Sequence, residues 1–270
     1  MKPERIHLTA QNIDVYEGDG LDPFARTGAT TAEQVHKAGA EGVILGHSEV
    51  GDSPEVVRKK LLTIISKSPA HGNGFLKRIT LLVGETWDEF GGNTAEAVAE
   101  KVSEHLLYIL EGVPSEFVSG FVIGYEPKWG SRGSGRDDMS PPGKELISTV
   151  CKRLRLDLVT SLGEELGNSL PIIYGGRSTP ERTEEILADE NVEGLILGSA
   201  CSTVKKTMDI ANAIAKARGG KRKILHANFK VYELPDSYSD YLKELQTLDD
   251  DFIVYLSPPD TDLRELKNLL

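Results

Sequence analysis

Three short stretches of this 270-residue chain hold side chains that could move a proton: Gly46-His47-Ser48-Glu49, Glu126-Pro127-Lys128-Trp129 and Asn228-Phe229-Lys230. Each follows a short apolar run. Glu126 sits between such a run and a proline, where partial desolvation makes a carboxylate a better base. A solvated loop glutamate or a structural ion pair is the alternative for that position. His47 could donate a hydrogen bond from a neutral ring to a carbonyl oxygen that gains charge. As an isolated histidine it reads first as a satisfied core or loop residue. Lys230 supplies a flexible positive charge suited to a phosphate or an enolate, or is a plain surface lysine. Asn228, two residues earlier, would share its strand face and could orient Lys230, touch substrate or cap a turn. His226 lies inside the apolar run and reads as core.

Two glycine-bearing turns add a candidate anion site. Tyr174-Gly175-Gly176-Arg177-Ser178 leads into a capped helix, and Leu197-Gly198-Ser199-Ala200 ends an apolar run. Glycine lets a backbone approach a ligand closely, and consecutive N–H groups can form an anion-binding concavity. Arg177, Ser178, Gly198 and Ser199 are therefore candidate phosphate ligands. No short-spaced His, Cys, Asp or Glu cluster proposes a metal, and proton transfer requires no redox cofactor, so none is expected.

The elements that must position these groups alternate. Strands are predicted at Ile6–Ala10, Gly42–Gly46, Ile79–Gly84, Phe121–Tyr125, Pro171–Tyr174, Gly194–Gly198, Ile224–Ala227 and Phe252–Ser257. They are apolar and often β-branched, with helical patterns between them, as expected of parallel strands buried on both faces. Ser53-Pro54, Ser140-Pro141 and Thr179-Pro180 each place a side-chain cap before a proline at the first helical position. Thr30 with Glu33, and Asn93 with Glu96, have capping-box spacing. Val204, Met208, Ala211 and Ala215 line one helical face that Gly219-Gly220 can end. Eight strand–helix pairs over this length predict an α/β fold: a single (β/α)8 barrel domain spanning 1–270, with chemistry at the C-terminal ends of its strands. A doubly wound open sheet is the alternative, but no dinucleotide fingerprint accompanies it. The glycine-rich stretch from Gly130 to Gly135 reads as an active-site loop.

Composition limits the partners. With 31 basic and 42 acidic residues the net charge is -11, which argues against nucleic acid while leaving room for a small anion in a locally positive cleft. Cys151 and Cys201 suggest no disulfide scaffold, and no apolar run approaches the length of a membrane span. A cytoplasmic protein with no membrane partner is the expectation.

At these residues the chain resembles triosephosphate isomerase. The resemblance rests on Ala10-Gln11-Asn12, Thr27-Gly28, Gly46-His47-Ser48-Glu49, Val83-Gly84-Glu85, Tyr125-Glu126-Pro127 with Trp129, Tyr174-Gly175-Gly176 and Asn228-Phe229-Lys230. In that family the Asn-x-Lys strand comes first, whereas here it is next to last. The resemblance therefore implies a circularly permuted TIM barrel that begins at the family's third strand, with Ala217–Lys223 bridging the former termini. It also implies isomerisation of D-glyceraldehyde 3-phosphate and dihydroxyacetone phosphate through an enediolate. Glu126 would be the base, and His47 the proton donor to the oxygens. Lys230 would stabilise negative charge, with Asn228 holding the group together and Glu49 supporting it from behind. Pro127–Arg136 resembles the family's mobile lid, with Gly133 a phosphate ligand at its distal hinge; closure would exclude water. A homodimer and a small phosphorylated carbonyl substrate are the implied partners. Several positions depart from the family. Val50-Gly51 replaces two arginines, Ala29 a glutamate, Leu82 a cysteine, Arg177 a serine and Ser199 a glycine. The last two leave open an isomerase of another short sugar phosphate, or a barrel that binds an anion or partner without turnover.

Overall fold

The computed structural model describes residues 5–15, 27–71, 75–130 and 140–270. The strands are β1 (Ile6–Ala10), β2 (Gly42–Leu45), β3 (Arg78–Val83), β4 (Val122–Tyr125), β5 (Ile172–Gly175), β6 (Gly194–Leu197), β7 (Lys223–Asn228) and β8 (Phe252–Ser257). A principal helix follows each strand in turn: α1 (Ala32–Ala38), α2 (Pro54–His71), α3 (Ala95–Leu110), α4 (Lys144–Leu162), α5 (Pro180–Ile186), α6 (Val204–Arg218), α7 (Tyr238–Leu245) and α8 (Leu263–Leu269). Every strand pairing is parallel and the sheet closes into a barrel.

The circularly permuted order expected from the motif positions is corrected by this topology. The strands occupy the ring in the order in which they occur in the chain, and β8 closes on β1 through Ile6 opposite Val254 and Leu8 opposite Leu256. No strand lies between non-consecutive neighbours, so the architecture is an ordinary sequential (β/α)8 barrel. Closure gives each strand two parallel partners and leaves no edge. The place of a motif along the chain therefore does not define a rearranged fold.

Two apolar regions hold the barrel. Inside it, Ile44, Leu82, Val122, Ile173, Ile196, Ile224 and Tyr255 fill the lumen. Outside, the other strand faces pack under the helices, as where Val98, Val102 and Leu106 of α3 turn inward with Leu81 and Ile123. This two-sided burial explains why the strands read as continuous apolar runs. The face foreseen on α6 is also used: Ala211 is buried, and Val204, Met208 and Ala215 pack against the same core.

The helix starts differ in instructive ways. Thr179 caps α5 with Pro180 just inside it, as expected. The box at α1 uses Thr31 and Gln34, one residue later than expected; Glu33 instead pairs with Lys67. Thr94 rather than Asn93 caps α3. Helix α4 begins after Gly143, not at Ser140. Pro142 disfavours helical geometry at Pro141 before it, which pushes the start downstream.

Candidate active site

The turn that carries Glu126 is built on a buried carboxylate. Glu85 lies just after β3, and its backbone oxygen accepts from the Lys128 N–H at 2.9 Å. Its side chain accepts from Trp129 Nε1 at 2.8 Å and from the Tyr125 hydroxyl at 3.2 Å. Trp129 stacks on Phe90 with centroids 4.4 Å apart, which seals the group from water. Burial pushes the Glu85 carboxyl up to about 7, against the lowering effect of its hydrogen bonds. Its folded value thus lies above the ordinary 4.5. The associated stability is fully present below pH 4.5 and is lost as pH rises through about 7. Glu85→Gln cannot titrate, so relative to the parent it is expected to gain stability between pH 5 and pH 8. Converted at about 1.4 kcal/mol per pKa unit, that gain is of the order of 3 kcal/mol. Denaturant melts of both proteins at the two pH values measure it; a pH-independent difference refutes the titration of Glu85.

Glu126 follows directly from β4, is buried, and is docked on the loop after β2. Its Oε2 accepts the Ser48 backbone N–H and its Oε1 the Ser48 hydroxyl, both at 2.9 Å. His47, at the end of β2, places Nε2 3.7 Å from Glu126 Oε1. The Glu49 backbone N–H donates to His47 Nδ1 at 3.1 Å. A ring nitrogen that accepts a hydrogen bond carries no proton, so the other nitrogen, Nε2, is the donor. That N–H and the carboxylate occupy one side of the cavity. A Cβ on Gly175 would lie 3.2 Å from Glu126 Cγ and 2.9 Å from Ile196 Cγ2, so glycine leaves the carboxylate its room.

Lys230 enters from β7 with φ of +50°, a left-handed backbone that costs a non-glycine residue about 1–3 kcal/mol. Two side chains hold it there. Asn228 Oδ1 accepts the Lys230 N–H at 3.0 Å, and Gln11 Nε2 donates to the Lys230 carbonyl at 2.8 Å while also reaching the Ser257 carbonyl at 3.1 Å. The Lys230 ammonium pairs with Glu49, whose side chain is half-exposed outside the cavity wall. A Cβ on Gly198 would lie 3.0 Å from Lys230 Cε. The glycine at the end of β6 is therefore space for the lysine.

These groups share one cavity of about 310 Å³ at the C-terminal ends of the strands. It brings together His47, Glu126, Asn228 and Lys230 with Arg177, Ser178, Gly198 and Ser199. Arg177 turns inward, donating from Nε to the Gly130 carbonyl at 3.3 Å, and Ser178 bonds the Gly176 carbonyl at 3.3 Å. Gly133 and the segment 131–139 lie outside the described residues. His226 is not in the wall. It is buried one layer deeper than Asn228 on β7, with Ser257 Oγ 2.8 Å from Nε2 and Thr80 Oγ1 3.1 Å from Nδ1. Burial first, then the nearby His47, pushes it down to about 3, so it stays neutral. Ser48, Gln11 and Glu85 were not singled out as holders of the candidate site. Their signal was adjacency, since each lies inside a motif that carries the resemblance. Lys206 and Asp209 also line the cavity, and no sequence motif marked them.

A comparison with known families matches residues 1–214 to the family described as triosephosphate isomerase. The chain belongs to the triosephosphate isomerase family. The triosephosphate isomerase of Mycoplasmoides gallisepticum is 31% identical over 193 residues, covering 70% of each chain. That of Prosthecochloris aestuarii is 32% identical over 217 residues, covering 78% of this chain and 77% of the relative. That of Borreliella burgdorferi is 29% identical over 219 residues, covering 79% and 78%. Family membership supports an isomerase-type activity. Among the described residues no group of three or more His, Cys, Asp or Glu could hold a metal, and no helix is long and apolar enough to cross a membrane.

Proposed function

We propose that the protein interconverts D-glyceraldehyde 3-phosphate and dihydroxyacetone phosphate. The observation that carries this reading is the meeting of Glu126, His47, Asn228 and Lys230, from three different strands, in one cavity. Glu126 takes a proton from the carbon beside the carbonyl, leaving an enediolate, and returns it to the neighbouring carbon. His47 donates its Nε2 proton to the developing oxyanion and passes it between the two oxygens. Lys230 lowers the energy of the negative charge that develops on the enediolate. Asn228 holds the Lys230 backbone, and Glu49 holds its ammonium. The phosphate is taken by Ser178, Gly198, Ser199 and Arg177, with Gly133 a further ligand carried over from the resemblance. A homodimer belongs to the same proposal. Val231, 86% exposed beside Lys230, is an apolar rim residue suited to a subunit contact; a persistent monomer by sedimentation at assay concentration would remove it.

The test is kcat/KM for glyceraldehyde 3-phosphate, unphosphorylated glyceraldehyde and a four-carbon sugar phosphate, in the parent and in Arg177→Ser. The parent is expected to prefer the triose phosphate. Losing a charged hydrogen bond of about 1.5–3 kcal/mol, Arg177→Ser is expected to lose roughly tenfold or more on phosphorylated substrates only. Equal values in both proteins place Arg177 outside phosphate recognition. Preference for the four-carbon substrate moves the assignment to another short sugar phosphate, which the replacements at Arg177 and Ser199 make the second reading.

A further inference from the structure

The cavity extends beyond the groups used above, to a wall formed by the first turns of α5 and α6. Thr179 and Pro180 line it from α5, Lys206, Asp209 and Ile210 from α6, and Tyr232 from the loop after β7. The charges on this surface are not equivalent. Lys230 is matched by Glu49, and Asp209 is matched by Lys205, whose ammonium lies 2.7 Å from Asp209 Oδ2. Glu126 is docked on Ser48. Lys206 differs from all of these. Its ammonium donates to the Ser202 hydroxyl at 3.1 Å, and no carboxylate of the described residues lies within ion-pair distance of it. A cation that no described carboxylate neutralises therefore stands on the wall of a concave site, near the Gly198–Ser199 turn.

On this helix Lys205 pairs with Asp209 one turn away. Lys206 sits on the same helix, one residue on, and has no carboxylate partner among the described residues. Its hydroxyl partner keeps the side chain in place without cancelling its charge. Two N–H groups of the first turn of α6 are already engaged, Val204 N with Asp236 Oδ2 at 2.8 Å and Lys206 N with Thr203 Oγ1 at 3.2 Å. The side chain, not the helix end, is thus the feature offered to an anion.

We propose that Lys206 is a specificity-determining residue of this cavity, its ammonium contacting the phosphate group of a short phosphorylated ligand at the end remote from Glu126. The inference rests on the reading of the cavity as a sugar-phosphate site, but its chemistry, recognition of a phosphomonoester dianion, can be measured without turnover. As a point charge on a flexible stem, lysine can follow a phosphate whose position shifts with chain length, which a fixed backbone donor cannot do.

The experiment titrates inorganic phosphate into the full chain by calorimetry, in the parent, Lys206→Met, Lys206→Arg and Lys216→Met. Lys216 lies at the far end of α6, pairs with Glu184 and lines no part of the cavity, so it controls for the loss of one positive charge. Phosphate is expected to bind Lys206→Met roughly tenfold more weakly, as for a lost charged hydrogen bond. Lys206→Arg should retain most of the affinity and Lys216→Met all of it. In turnover, Lys206→Met should raise KM for a phosphorylated substrate far more than it lowers kcat. Unchanged phosphate affinity in Lys206→Met, an equal loss in Lys216→Met, or no phosphate binding by the parent each overturns the proposal. A parent that binds phosphate through Lys206 yet isomerises no sugar phosphate upholds it and overturns the reaction assignment alone.

Discussion

Replacing Glu126 by glutamine is expected to lower kcat by about 10²–10⁴-fold with little change in KM, the range associated with losing a positioned general base. Glu126→Asp is expected to lose at least about tenfold. The native carboxylate is held at both oxygens by Ser48, each at 2.9 Å, and a side chain shorter by one methylene cannot keep those bonds and the same place in the cavity. Misplacement by about 1 Å can cost roughly 100-fold. Both variants should fold, because the turn is held by Glu85, Trp129 and backbone bonds that do not involve the Glu126 side chain. Steady-state assays with circular dichroism as the folding control decide the matter. Undiminished turnover in either folded variant would reject Glu126 as the base.

Deleting Lys223–Leu270 is expected to abolish cooperative folding altogether. The matched family region ends at residue 214, before β7 and β8, so these two strands could be taken for a dispensable extension. The structure argues otherwise. β7 pairs with β6, β8 pairs with β1, and Ile224 and Tyr255 are part of the lumen filling. Without them β6 and β1 become open edges, and the lumen loses two of its walls along with Asn228 and Lys230. Thermal unfolding followed by circular dichroism tests this. A soluble product with one transition near that of the full chain would mean that the barrel is complete without them.

Legibility followed the range of the interactions involved. The strands were visible because each is buried on both faces, so its whole sequence is apolar. Predicted and observed limits differ by a residue or so at most ends. Helix caps were legible where the decision is local, as at Thr179-Pro180. They slipped elsewhere: the box at α1 forms at Thr31 with Gln34 and not at Thr30 with Glu33, and Pro142 delays α4. The candidate site residues could be named because a barrel directs the residues after its strands toward one mouth. Their partners could not. Ser48 lies 78 positions from Glu126, and Gln11 lies 219 from Lys230. No pattern within a window of sequence reports such a pair.

The amino-acid sequence by itself determined the alternation of strand and helix, the barrel class and which side chains stand at the strand ends, because apolar periodicity and capping act over a few residues. It did not determine the arrangement of the ring. Reading order from motif positions led to a permuted barrel, whereas the closed sheet runs in plain succession from β1 to β8. Only the tertiary structure decided that Glu126 is docked on Ser48, that Lys230 holds a left-handed backbone between Asn228 and Gln11, and that His226 is kept neutral in the lumen. It also decided that Lys206 lines the cavity with no carboxylate partner among the described residues, while Lys205 beside it is paired. Each of these depends on distance in space between residues far apart in the chain, or on burial. Those quantities exist only once the barrel has closed.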